Sequence, residues 1–255
     1  MLRSRKHDWR RADLRSFEEA AGRLIVGLDF PDAEQARKLL KELEGIPCYM
    51  KVGLQLFYAA GPEFIRELKQ QGYSVFLDVK MHDIPNTVKG GANSVTKLGV
   101  DMFNVHAAGG LDMMKSAKEG ALAALESDPS LRLPKLIAVT QLTSTNQQTL
   151  NREIGIPGTV EASVVHYAEL AREAGLDGVV ASPLEVTAVK ERCGQAFMTV
   201  TPGIRPANSA LGDQSRTLTP GEAMAQGTDY IVVARPIIAA PNPREAAEQI
   251  IKEMM

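Results

Sequence analysis

The chain has 255 residues, 44% hydrophobic and 24% charged, with a formal net charge of −2 and only 5% aromatic residues. That is ordinary globular composition, with neither the basic footprint nor the stacking platforms of a nucleic-acid binder. No run approaches the roughly 20 apolar residues of a membrane-spanning helix, and Cys48 and Cys193 stand in no metal-like spacing.

The basic start MLRSRKHDWRR leads into no apolar signal core, so the expected compartment is the cytoplasm. Residues 1–21 read as a basic arm, disordered or a short docking segment, followed by an extra helix in RSFEEAAG. There Ser16 and Glu19 stand at capping-box spacing. Residues 22–255 read as one domain. Strand-like apolar runs recur at 24–29, 48–52, 74–80, 102–106, 135–140, 178–182, 197–201 and 229–235. Helices fall between them. DAEQARKLLKELEG has an Asp cap and stops at Gly45, and GPEFIRELKQQG has Pro62 at its first turn. SVVHYAELAREAG and PREAAEQIIKEMM show the same helical apolar spacing. The stretches around 141–158 and 204–219 read as long loops, which tend to be functional. Strand and helix alternating eight times predict an α/β fold, the (β/α)8 TIM barrel. A doubly wound sheet would usually carry G-x-G-x-x-G in its first turn, where this chain has GLDFPDAE.

Polar groups gather at the C-terminal strand ends, where barrels build their sites. The first strand ends in Asp29, the second in Lys51, the third in Asp78 and Lys80, the fourth in His106. Thr143 follows the fifth, Ser182 ends the sixth and Arg235 the eighth. Alternation along a strand puts Asp78 and Lys80 on one face, about 6–7 Å apart, pointing into the barrel mouth. Leu77 and Val79 then face the helices. Opposite charges offset one another's desolvation, whereas a lone buried charge costs several kcal/mol. His82 and His166 are assigned no chemistry. TPGIRP, GDQSR and ARPI, after strands seven and eight, supply Gly203, Arg205, Gln214, Arg216 and Arg235 as candidate phosphate ligands. No H-E-x-x-H, cysteine cluster or nucleophile elbow is present, so no metal site is expected. The pattern points to a phosphorylated small molecule and to chemistry by lysine and carboxylate.

DVKMHDIPNTV resembles the D-x-K-x-x-D-I-P-N-T signature of the orotidine 5'-phosphate decarboxylases, bacterial type. VGLDF, MKVGLQLF, VTQLTS, TPGIRP, GDQSR and ARPI also match in order, so the resemblance covers about residues 22–253. It implies a homodimer of barrels that converts orotidine 5'-monophosphate to uridine 5'-monophosphate and carbon dioxide, the last step of UMP biosynthesis, without metal or organic cofactor. It implies that Lys80 is the proton donor, that Asp78 lies beside the substrate carboxylate, and that Lys51 links the charge network to the ribose. Asp83 would complete the network from the neighbouring subunit, with Thr87 in the same cross-subunit contact. Asp29 would bind ribose hydroxyls, and Thr143 with Ser144 would read the pyrimidine. Arg205, Gln214 and Arg235 would hold phosphate. The motif normally has glycine before the last arginine, and this chain has Ala234. Alanine keeps the backbone N–H but adds a Cβ and disfavours positive φ. Two other readings share the D-x-K-x-x-D core: a magnesium-dependent phosphosugar decarboxylase or hexulose-phosphate aldolase, and a catalytically silent nucleotide-binding barrel. VTQLTS and HDIPNT argue against the first, and intact Asp78, Lys80 and Asp83 against the second.

Overall fold

The computed structural model describes residues 16–206 and 218–255. Eight parallel strands close into a barrel in sequence order. They are β1 (Leu24–Gly27), β2 (Tyr49–Gly53), β3 (Ser74–Met81), β4 (Met102–His106), β5 (Lys135–Val139), β6 (Gly178–Val180), β7 (Met198–Thr201) and β8 (Tyr230–Val233). Strand β1 pairs with β8 from Leu24↔Ile231 to Val26↔Val233, which closes the ring. Each run of the sequence reading contains a strand, with ends that agree within two residues: β4 matches, β2 and β3 run one residue further, and the others are shorter by one to three residues in all.

The helices are α1 (16–21), α2 (Ala33–Glu42), α3 (Leu54–Gln70), α4 (Pro85–Lys97), α5 (Leu111–Ser127), α6 (Val160–Glu173), α7 (Val186–Cys193), α8 (Pro220–Ala225), α9 (Arg235–Ile238) and α10 (Pro243–Glu253). Asp32 caps α2 by accepting from the Gln35 N–H, as expected. Helix α3 begins seven residues before the predicted Gly61 start. Gly61, at φ 68°, kinks it where two shorter helices meet, and a kink of that kind reads in sequence as a boundary. The 141–158 stretch is not open loop. A wide helical turn spans Thr149–Ile154, and Gln147 and Asn151 both donate to the Gly158 carbonyl, at 2.6 and 3.0 Å.

Two apolar cores follow from strand alternation. Leu24, Val26, Met50, Val52, Val75 and Leu77 pack outward against the helices. Inside the barrel a small cluster of Ile25, Phe76, Met102, Ile137 and Val200 fills the middle layer. Below it Tyr49 and Tyr230 meet edge to face at 5.6 Å, with the Lys135 ammonium 6.0 Å from each ring centroid. The inner core therefore floors the mouth and leaves the C-terminal strand ends open for polar side chains.

Candidate active site

A cavity of about 370 Å³ opens at the C-terminal end of the barrel. Asp29, Lys51, Asp78, Lys80, Thr143, Ser144, Gly203, Arg205, Ala234 and Arg235 all line it. Its floor is apolar, formed by Phe76, Val139, Val180, Val200 and Val232. An apolar floor beneath a charged rim suits a small molecule that carries both an apolar body and charged groups.

The charged residues form one connected chain. Lys51 Nζ lies 3.4 Å from Asp29 Oδ1 and 3.2 Å from Asp78 Oδ2. Lys80 Nζ donates to Asp78 Oδ1 at 2.7 Å. The Asp78 and Lys51 side chains each keep only 12% exposure, while Lys80 keeps 27% and Asp29 50%. Burial pushes the Asp78 carboxyl up. The Lys51 and Lys80 ammoniums and hydrogen bonds from Lys80 and Asn104 outweigh it and hold the group below its ordinary value. Burial likewise pushes Lys51 down, and Asp78 and Asp29 together raise it above the ordinary lysine value. Asp78 and Lys51, the two most buried members, thus each favour the charged form of the other.

Two glycines let Lys51 lie there. A Cβ on Gly53 would come within 3.3 Å of Lys51 Nζ. One on Gly27 would meet Lys51 Cε at 3.5 Å and Ala234 Cβ at 2.8 Å. Ala234 itself has φ −120°, so the turn before Arg235 does not call for the left-handed backbone that alanine disfavours. Its methyl group occupies space over Gly27 instead.

Strand β3 does not run regularly to its end. Its pairing with β4 passes from Leu77↔Phe103 to Met81↔Val105, four residues against two. Lys80 sits in this break with φ 50°. Simple alternation therefore puts Asp78 and Lys80 together for an incomplete reason: the bulge, not the pleat, turns Lys80 back onto Asp78. Buried Asn104 spans the break, and the sequence reading missed it. The signal was available, since a polar residue inside the apolar run MFNVH poses the same question as Asp78 in SVFLDVK.

Other candidates fall outside this chain of charges. Asp83 and Thr87 are exposed, at the entry and first turn of α4. The Asp83 carboxylate accepts from the Ile84 N–H at 2.6 Å, and among the described residues Lys80 pairs with Asp78 rather than with Asp83. Ser182 is buried and its Oγ accepts from the Leu184 N–H, a structural cap. The half-buried His106 ring lies 5.7 Å from that of His82; burial, His82 and Lys80 push its pKa down. Arg205 is buried and donates to the Ile204 carbonyl at 2.9 Å, and its N–H bonds the Leu218 carbonyl. Gln214 and Arg216 lie outside the described residues. Among the described residues no three His, Cys, Asp or Glu side chains converge in a way that could hold a metal ion.

Comparison with known proteins agrees with this geometry. The family model described as orotidine 5'-phosphate decarboxylase / HUMPS family matches residues 22–250. The orotidine 5'-phosphate decarboxylase of Enterococcus faecalis is 49% identical over 232 residues, covering 91% of this chain and 97% of that protein. That of Moorella thermoacetica is 50% identical over 237 residues, 92% and 93% of the two chains. The crystal structure of the Lactobacillus acidophilus enzyme of that name superposes with TM-score 0.81 at 45% identity, covering 91% and 98%. With a closed eight-stranded barrel, charges at its C-terminal mouth and similarity across nearly its whole length, the chain belongs to the orotidine 5'-phosphate decarboxylase / HUMPS family.

Proposed function

We propose that this protein decarboxylates orotidine 5'-monophosphate to uridine 5'-monophosphate, with Lys80 as the proton donor. The observation that carries the reading is the Lys51–Asp78–Lys80 chain at the mouth of an apolar-floored cavity. Breaking the bond between the pyrimidine and its carboxylate releases carbon dioxide and leaves an electron pair on ring carbon 6. That pair lies in the ring plane, where the π-system delocalises it poorly. The site must therefore stabilise the charge electrostatically. A fixed ammonium does this without reorganising, and then transfers its proton to carbon 6 to complete the product. Asp78 keeps Lys80 aimed. Near the departing carboxylate it also opposes the ground state, a lesser contribution in this reading.

The remaining roles are those the motif resemblance implies, and placement supports them where the residues are described. Asp29, half-exposed at the rim and tied to Lys51, suits ribose hydroxyls. Thr143 and Ser144, on the folded loop after β5, suit the pyrimidine edge. Arg235 at the first turn of α9, with Arg205, suits the phosphate, whose binding energy can be realised in the transition state, and Gln214 is proposed for the same role from the GDQSR motif alone. Asp83 and Thr87 serve the partner of a homodimer. The cytoplasm is the proposed location, and residues 22–255 are proposed as one catalytic domain. Loss of orotidine monophosphate absorbance on adding purified protein tests the reading. Turnover unaffected by EDTA is expected. Activity abolished by EDTA and restored by magnesium would favour the phosphosugar branch, and no turnover in either condition would favour a silent binding protein.

A further inference from the structure

Strand β4 carries one polar side chain within its buried run. Asn104 has no exposed surface and stands between Phe103 and Val105, both also fully buried. A buried carboxamide is costly unless its polar atoms find partners. Both partners here belong to the break in β3. Asn104 Oδ1 accepts from the Lys80 backbone N–H at 2.8 Å. Asn104 Nδ2 donates to Asp78 Oδ1 at 2.7 Å. The orientation of the amide is set by chemistry, because a backbone N–H only donates and a carboxylate only accepts. The side chain takes up a ladder N–H where β3 and β4 stop pairing regularly. It does so at the one non-glycine residue with positive φ among those described.

We propose that Asn104 is a positioning residue for the decarboxylation. It pins the strained backbone of Lys80 and one oxygen of Asp78, leaving the other oxygen of Asp78 to Lys51. It does not line the cavity, so it acts through these two residues and touches no substrate. The inference rests on the decarboxylase reading of the site. Around the amide, the charged and titratable groups of the cluster are Asp78 and Lys80 on β3, Lys51 on β2 and His106 on its own strand.

Two variants and the wild type test this together. In Asn104→Ala, Lys80 and Asp78 lose their common anchor. The expected result is a kcat lowered on the order of a hundredfold, the size of effect that about 1 Å of misplacement produces. Binding of the product uridine monophosphate should change little. Asn104→Asp supplies the sharper readout. When protonated, the introduced carboxyl still donates to Asp78 and accepts from Lys80; when ionised it only accepts, and repels Asp78. Its kcat relative to wild type is therefore expected to rise as pH falls. A ratio that stays flat with pH, or a wild-type kcat in Asn104→Ala, overturns the inference. If Asn104→Ala does not fold, the pH ratio of Asn104→Asp decides alone. Wild type that fails to consume orotidine monophosphate would overturn the underlying function. An active wild type with indifferent variants would overturn only the role of Asn104.

Discussion

Lys80 combines a left-handed backbone, φ 50°, with an ion pair to Asp78 at 2.7 Å. A non-glycine residue held this way costs of order 1–3 kcal/mol, and such strain collects where side-chain aim matters. Two substitutions separate strain from chemistry. Lys80→Ala should lose decarboxylation while remaining folded; retention of more than about a tenth of kcat, some 1.4 kcal/mol of barrier, would refute its role as proton donor. Lys80→Gly should be equally inactive yet more stable than Lys80→Ala by about 1 kcal/mol in denaturant titration, because glycine accepts this φ freely. Arg235→Ala should raise KM and lower kcat/KM for the phosphorylated substrate, with far less effect on the nucleoside lacking phosphate. Equal losses on both would remove Arg235 from the phosphate grip. Charge at Asp78 sets the pH response. Its folded pKa lies below the ordinary 3.8, so its contribution is full above that value and is lost as pH falls through the lower folded one. Lys51, raised above 10.5, contributes fully below that value and loses its contribution as pH rises through the higher folded one. Thermal unfolding of wild type should therefore weaken below about pH 4, and Asp78→Asn should lose less over the same acid range. An identical acid slope in both proteins would show that Asp78 gains nothing from its partners. At this scale the sequence made Asp78, Lys80, Lys51 and Asp29 legible, because charges in apolar strands demand partners. The bulge at Lys80 was hidden, because it arises from β4 supplying a side chain in place of a ladder bond.

Among the elements, three aspartates share one device at the closed end of the barrel. Asp101, Asp177 and Asp229 stand just before β4, β6 and β8. Each carboxylate accepts the backbone N–H of a residue in the preceding strand, Val75, Leu136 or Thr199, at 2.7 Å. Each also pairs with a lysine: Lys69, Lys118 and Lys190 respectively. The carboxylates thus fasten neighbouring strands at their N-terminal ends, opposite the mouth. Helices α4, α5 and α7 were not delimited from sequence. Helix α4 carries Gly90–Gly91, α5 is rich in small residues and α7 is short, and each of these weakens the sequence signal of a helix. The glycine in α5 has a packing reason. A Cβ on Gly120 would fall 2.1 Å from the Lys89 carbonyl oxygen of α4, so the two helices touch backbone to backbone. Gly120→Ala should therefore destabilise the fold by about 1–3 kcal/mol despite alanine's better helix propensity. Chemical denaturation checks this, and an unchanged or raised midpoint would mean that α4 and α5 can separate without cost. Such a shift would also disturb the turn into α4 that carries Asp83 and Thr87.

Across the whole molecule, eightfold alternation of strand and helix made the barrel readable from one chain, whereas a site shared between two chains leaves no mark in the folding pattern. Asp83 follows Lys80 by three residues, past the end of β3, and the chain turns at Ile84 and Pro85 into α4. Its carboxylate is exposed and bonded to the Ile84 N–H, and Ile84 beside it keeps 67% of its surface exposed. Helix α4 has no side-chain cap, so Asp83 is not committed to capping it. An acidic group next to an exposed isoleucine, just outside the mouth, suits delivery into a partner's cavity across a two-fold axis. On that arrangement Asp83→Ala and Lys80→Ala proteins are each inactive, but damage different halves of a composite site. A mixed dimer then holds one site with both lesions and one with neither. Random reassortment of equal amounts makes about half the dimers mixed, each with one good site of two, so about a quarter of wild-type activity should return. Mass spectrometry first establishes that subunits have exchanged. With exchange complete, a mixture that stays inactive would place Asp83 in the service of its own barrel and remove the cross-subunit site.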